Sequence, residues 1–131
     1  MIVIDASSAV DALLESGSAE EIDTHIRAHE YDLHAPHLID AEIGQAIRGH
    51  TLAGSLGRSN AERALAALDR IPIERWAHRR LLSRAFELRS NLTFYDALYL
   101  ALAEVLGATL LTRDAALAKV ARRTVDVALV A

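Results

Sequence analysis

The chain has 131 residues, 52% of them hydrophobic, with 18 acids against 14 bases and no cysteine. That length is one domain's worth, able to bury roughly 65–70% of its unfolded surface without staples, and the missing thiols exclude a disulfide scaffold, a thiol nucleophile and a thiolate zinc site. The net charge of −4 argues by itself against a nucleic-acid partner, yet it hides a split: residues 1–50 carry ten acids and two bases, net −8, and residues 51–131 eight acids and twelve bases, net +4.

Ile2-Val3-Ile4 is β-branched and stops abruptly at Asp5, after which Val10, Leu13 and Leu14 recur at helical spacing, so the opening reads strand, turn, helix. Ser18 with Glu21 matches a capping box and opens a charged, solvated helix to about Glu30. Tyr31 to His34 reads as a second short strand. Pro36 suits the first turn of a helix that continues through Leu38, Ile39, Glu42, Ile43, Ala46 and Ile47 until Gly49. Thr51 to Gly57 is a connecting loop, and Ser59 with Glu62 repeats the capping box before a helix that stops near Arg70. Ile71-Pro72-Ile73-Glu74 reads as an edge strand, where proline's missing N–H is tolerated.

A basic helix carrying Leu81, Leu82, Ala85 and Leu88 follows. Thr93 with Asp96 caps the next helix, which ends at Gly107. Ala108 to Thr112 is a strand, Asp114 starts a short helix, and Val125 to Val130 closes the chain as a strand. Alternating strands and helices predict one domain over residues 1–131, a three-layer α/β/α sandwich on a mainly parallel sheet of about five strands. The apolar N-terminus lacks a basic n-region and meets Asp5 and Asp11 too soon for a secretory leader. The longest apolar stretch, Leu92 to Thr112, contains Asp96, Glu104 and Gly107, which argues against a membrane span and for a soluble protein of a reducing cytoplasm.

Four carboxylates sit in awkward places. Asp5 ends an apolar strand, Asp114 follows Leu110-Leu111-Thr112, Glu42 points from a largely apolar helix face, and Asp96 lies in the first turn of its helix. Taken singly, each has an ordinary structural use: a turn, a cap, or for Glu42 an ion pair with Arg48. Taken together, they converge on one edge of the sheet, the place where open α/β folds bind ligands. Two carboxylates about 5 Å apart repel by roughly 3 kcal/mol at an effective dielectric near 20, so something positive belongs among them, or some stay protonated. Oxygen ligands without thiols select a hard cation, Mg²⁺ or Mn²⁺, which is the equipment of metal-assisted phosphodiester hydrolysis.

Competing chemistries are poorer fits. His25 with His29, and His34 with His37 beside Pro36, lack a sheltered carboxylate partner and read as surface histidines. There is no Walker loop, no dinucleotide fingerprint, no nucleophile elbow, and no second aspartate after Asp5 of the haloacid-dehalogenase kind.

Ile2-Val3-Ile4-Asp5-Ala6-Ser7-Ser8-Ala9-Val10, Ala35-Pro36-His37-Leu38-Ile39-Asp40-Ala41-Glu42, Leu92-Thr93-Phe94-Tyr95-Asp96-Ala97-Leu98-Tyr99-Leu100-Ala101-Leu102-Ala103-Glu104 and Leu111-Thr112-Arg113-Asp114 together resemble the PIN domains of VapC-type toxins, in order and spacing over the whole length. The resemblance implies a Mg²⁺- or Mn²⁺-dependent endoribonuclease, the toxin of a type II toxin–antitoxin pair, dimeric and inhibited by a cognate VapB-like antitoxin. It also implies that Asp5, Glu42, Asp96 and Asp114 form the acidic metal-binding and catalytic quartet, with Ser7 and Thr112 as supporting hydroxyls. Arg79, Arg80 and Arg84 are candidate RNA contacts beside that pocket, although a solvated helix face is the favoured reading of this arginine-rich segment. Trp76 reads as a packing residue, and Arg48 and His50 lie near enough to Glu42 in sequence to touch substrate or partner. The alternative from another class is a non-catalytic PIN-like module that binds RNA or protein, and a third reading keeps the enzyme but makes its substrate DNA or a nucleic-acid flap.

Overall fold

Short runs of β-branched and aliphatic residues supply the strands. In the computed structural model, which describes residues 1–131, β1 (Ile2–Ile4), β2 (Leu33–Pro36), β3 (Ile73–Trp76), β4 (Thr109–Thr112) and β5 (Val127–Leu129) form one sheet in the order β3-β2-β1-β4-β5. Every pairing is parallel. The crossovers are helical: α1 (Ala6–Leu14) and α2 (Ala19–Ala28) lead to β2, and α3 (Leu38–Leu52) and α4 (Arg58–Leu68) lead to β3. A 3₁₀ turn (Arg79–Leu81), α5 (Leu82–Glu87) and α6 (Phe94–Leu106) lead to β4, and α7 (Ala115–Ala121) leads to β5. The first two crossovers step outward from β1 in one direction and the later ones in the other. Right-handed connections therefore put α1–α4 on one face and α5–α7 on the opposite one. The predicted α/β/α sandwich is the observed architecture.

Burial follows from this layering. Ile2, Val3 and Ile4 are all buried, as a central parallel strand covered on both faces requires. Residues Ala97 to Ala103 of α6 are buried without interruption, because that helix lies against β1, β2 and β4 while α5 covers its outer side. Thr93 caps α6 by accepting from the N–H of Asp96, and Gly107 ends it with φ of 64°, a left-handed value that favours glycine. Strand order reverses between β1 and β4, so the carboxyl ends of these two neighbours form the sheet's topological switch point. No helix is long and apolar enough to cross a membrane.

Several local expectations are corrected. Pro36 ends β2 instead of opening a helix: β1 pairs only as far as His34, so the side on which proline's N–H is missing faces no ladder. The second strand starts at Leu33, two residues late, because Glu30 and Tyr31 turn the chain with φ of 56° and 60°. Neither Ser-to-Glu capping box forms. Ser18 flanks α2 with its hydroxyl buried and unbonded, and its N–H goes to Asp11 instead. Gly57 flanks α4, and Glu62 pairs with Arg58 at 2.8 Å. Helix α3 runs through Gly49 to Leu52, and the basic segment is a 3₁₀ turn joined to a six-residue helix. His34 is buried, with Nε2 2.7 Å from Asp32 and Nδ1 accepting from Trp76 Nε1 at 3.0 Å, so neither it nor Trp76 is a free surface group.

Candidate active site

The four suspected carboxylates come from four elements that meet at the switch point. Asp5 follows β1 and is the N-cap of α1; its Oδ1 accepts from the Ser8 N–H at 3.0 Å and from the Ser7 hydroxyl at 3.1 Å. Its Oδ2 accepts from the hydroxyl of Thr112, the last residue of the neighbouring strand β4. The Thr112 oxygen in turn receives the Asp114 N–H at 2.9 Å, which ties the two strand ends into one network. Asp114 caps α7, and its Oδ1 accepts from the N–H groups of Ala116 and Leu117 at 2.8 and 3.1 Å. Ser7 and Thr112 thus stand in contact with Asp5, as the sequence suggested.

Glu42 arrives from α3 and Asp96 from the first turn of α6, on opposite faces of the sheet. Tyr99, one turn beyond Asp96, donates its hydroxyl to Glu42 Oε1 at 2.6 Å and so links the two helices across the carboxyl edge. Tyr99 was missed as a functional residue in the sequence. The signal available was its i+3 spacing from Asp96, which places both on one helix face.

Electrostatics couple the set. Burial raises the Glu42 carboxyl above its ordinary value; the Tyr99 hydrogen bond opposes this, and the charges of Asp96 and Asp5 add to it. Asp96 is likewise raised by burial, with Asp114 and Asp5 contributing and Thr93 opposing. Burial also pushes the Tyr99 phenol up, reinforced by its bond to Glu42 and by the surrounding carboxylates, so it remains a donor at any physiological pH. Each of the four acids therefore feels at least one other. No three acids or histidines stand close enough here to enclose an ion, so the carboxylates form an open cluster rather than a closed cage. Their chemistry nevertheless fits a hard divalent cation: all donors are oxygens, and the surplus negative charge that raises Glu42 and Asp96 is what such an ion would neutralise.

A cavity of about 350 Å³ adjoins the cluster, lined by Ser7 and Asp11 of α1, Glu42 and His50 of α3, and Arg113. Arg48, also at the end of α3, is exposed and does not line it. The candidate RNA-binding arginines lie elsewhere. Arg84 is committed to Glu104 through two hydrogen bonds of 2.7 and 3.0 Å and to Glu87 at 3.0 Å, which makes it a brace between α5 and α6. Arg79 and Arg80 are exposed beside a different, more apolar cavity with Trp76, Leu102 and Val105.

Comparison with known proteins agrees with this geometry. The PIN domain family matches residues 2–123. The chain is 42% identical over 114 residues to VapC ribonuclease Mb0985 of Mycobacterium bovis, covering 87% of this chain and 86% of the relative. It is 44% identical over 117 residues to ribonuclease VapC1 of Mycobacterium tuberculosis, covering 88% and 87%, and 33% identical to ribonuclease VapC12 of the same species across the full length of both. The crystal structure of PAE2754 from Pyrobaculum aerophilum superposes with a TM-score of 0.67 at 27% identity, covering 96% of this chain and 87% of that one. The chain belongs to the PIN-domain family, among its VapC ribonucleases.

Proposed function

We propose that the protein is the toxin of a VapBC pair, an endoribonuclease that hydrolyses RNA phosphodiester bonds with the help of a divalent metal, Mg²⁺ or Mn²⁺. The observation that carries this reading is the convergence of Asp5, Glu42, Asp96 and Asp114 on the carboxyl edge at the β1–β4 switch point, with Ser7 and Thr112 fixing Asp5. Asp5, Asp96 and Asp114 are the principal metal ligands in this reading, and Glu42 is a further ligand or the base that orients the attacking water. When bound, the ion supplies Lewis acidity toward the phosphodiester and lowers the pKa of water.

The chain's own residues do the rest. Ser7, Ser8 and Thr112 hold both oxygens of Asp5 in one orientation, so little reorganisation is needed during reaction. Tyr99 occupies one oxygen of Glu42, leaving the other available, and its elevated carboxyl pKa suits a proton acceptor better than an ordinary glutamate. Arg79 and Arg80, being exposed, are the members of the basic segment able to meet a longer RNA strand. We read residues 1–131 as one PIN domain acting in the cytoplasm, as a homodimer whose partner is a VapB-like antitoxin with basic side chains to quieten the acidic cluster.

Mutation decides the reading. Asp5→Ala and Asp96→Asn are expected to abolish RNA cleavage in the presence of Mn²⁺ and to relieve growth inhibition while the circular dichroism spectrum stays folded. Undiminished cleavage by either variant would sink the assignment. A protein that binds RNA with Mn²⁺ present but never cuts it would instead be a non-catalytic module.

A further inference from the structure

Asp11 is buried and stands apart from the four-acid cluster. Its Oδ2 accepts from the Ser18 N–H at 3.1 Å and pairs with Arg113 Nη1 at 3.0 Å; the carboxylate side chain is 9% exposed and the arginine 39%. The niche is shaped for it. Gly17 passes over Asp11 with φ of 54°, and a Cβ at that position would lie 2.7 Å from the same Oδ2. Burying a carboxylate costs several kcal/mol unless it is well partnered, and a turn between α1 and α2 does not itself need one. What the charge of Asp11 adds is a fixed place for the Arg113 guanidinium.

That place is a consequential one. Arg113 sits between Thr112, which is bonded to Asp5, and Asp114, and it lines the cavity that Ser7, Glu42 and His50 also line. A long cationic side chain left loose beside four carboxylates would fold onto them and compete with any cation there. Asp11 is its single ion-pair partner, so the arginine is held off the cluster while part of its five-donor fork is left for another anion. The anion that must lie in this cavity during reaction is the nucleic-acid backbone.

We propose that Arg113, tethered by Asp11, forms a subsite for the backbone phosphate of the RNA strand next to the bond being cut. This assignment rests on the ribonuclease reading for the identity of the ligand. Arg113 makes the contact, and Asp11 is a positioning residue that acts through it.

The test is equilibrium binding of a short, fluorescently labelled single-stranded RNA to protein carrying Asp96→Asn, followed by anisotropy over a series of salt concentrations with Mg²⁺ held constant. Adding Arg113→Ala is expected to weaken binding about tenfold at moderate salt and to reduce the slope of log affinity against log salt by about one, the signature of one lost phosphate contact. Arg113→Lys keeps the charge and should restore the slope, though not the full affinity. Asp11→Asn retains an acceptor for Ser18 and should give part of the loss. Asp11→Asn combined with Arg113→Ala should bind no worse than Arg113→Ala alone. An unchanged affinity and slope in the Arg113→Ala protein overturns the subsite, and additive losses in the double variant overturn the role of Asp11. Arg113 is partly exposed, so its replacement reports on binding even if Asp11→Asn unfolds. Cleavage of the same RNA by the wild-type protein with Mn²⁺ is scored separately: its failure removes the ribonuclease reading, whereas the subsite stands or falls by the salt slope.

Discussion

The phenol of Tyr99 donates a 2.6 Å hydrogen bond to Glu42 across 57 positions of sequence, joining a helix on one face of the sheet to a helix on the other. The bond lowers the Glu42 carboxyl against the combined upward push of burial, Asp96 and Asp5. Tyr99→Phe should therefore raise the pKa of that carboxyl further and move the acidic limb of the pH–rate profile to higher pH. The lost bond is expected to cost about 1 kcal/mol of stability. A profile superimposable on that of the wild type would separate Tyr99 from the chemistry.

Mutual repulsion makes the acid cluster a liability in the absence of a cation. With a chelator present, Asp96→Asn should melt at a higher temperature than the wild type, by an amount equivalent to about 1 kcal/mol after allowance for solvent screening. Adding Mn²⁺ should reverse the ranking, because an ion bound at a hundred times its dissociation constant stabilises the folded wild type by about 2.7 kcal/mol. Differential scanning fluorimetry of both proteins, with and without the ion, checks this crossing.

The pH dependence of stability carries two opposing signs. Glu42 and Asp96 have folded pKa values above the ordinary 4.5 and 3.8, so the folded state holds their protons more tightly than the unfolded one. Their penalty is fully present above the folded pKa values and disappears as pH falls below the ordinary ones. In metal-free buffer the stability gap between wild type and a Glu42→Gln, Asp96→Asn double variant should be widest near neutrality and close below about pH 4. Urea denaturation across that range reads the gap directly.

Glu104 behaves in the opposite sense. Its carboxyl is held below the ordinary 4.5 mainly by the Arg84 hydrogen bonds, so the stability it contributes is present above that value and is lost as pH falls through the lower, folded one. Arg84→Ala should cost about 1 kcal/mol at neutral pH, because it leaves a half-buried carboxylate without its partner. RNA cleavage should be unaffected, since Arg84 braces α5 against α6 away from the cluster. A large fall in cleavage by folded Arg84→Ala protein would return this residue to the RNA-binding surface.

Signals that depend on neighbouring residues were legible in the sequence, and those that depend on distant ones were not. Ile2-Val3-Ile4, the Thr93 cap and the Gly107 stop were readable because a strand run, an Asx- or Thr-type cap and a left-handed glycine are written within a few residues. The four acids were readable because each breaks an apolar pattern. The start of β2 was misplaced because Glu30 and Tyr31 adopt left-handed backbone without being glycine, which leaves no mark in the residue types. Ser18 followed by Glu21 satisfied a capping pattern, but the buried Asp11 claimed the Ser18 N–H. The pairs Tyr99–Glu42 and Asp11–Arg113 exist only once separate crossovers are stacked, and no local pattern announces either.

The hydrogen bond between Asp5 and Thr112 has a temporal meaning as well as a geometric one. It joins the first strand of the sheet to the fourth across 107 positions, and Asp114 lies beyond it. During synthesis β1 leaves the ribosome early and waits beside β2, its other flank bare, until β4 arrives. Only then do the acids stand together, so a growing chain carries no assembled cluster while most of its own message is still being read.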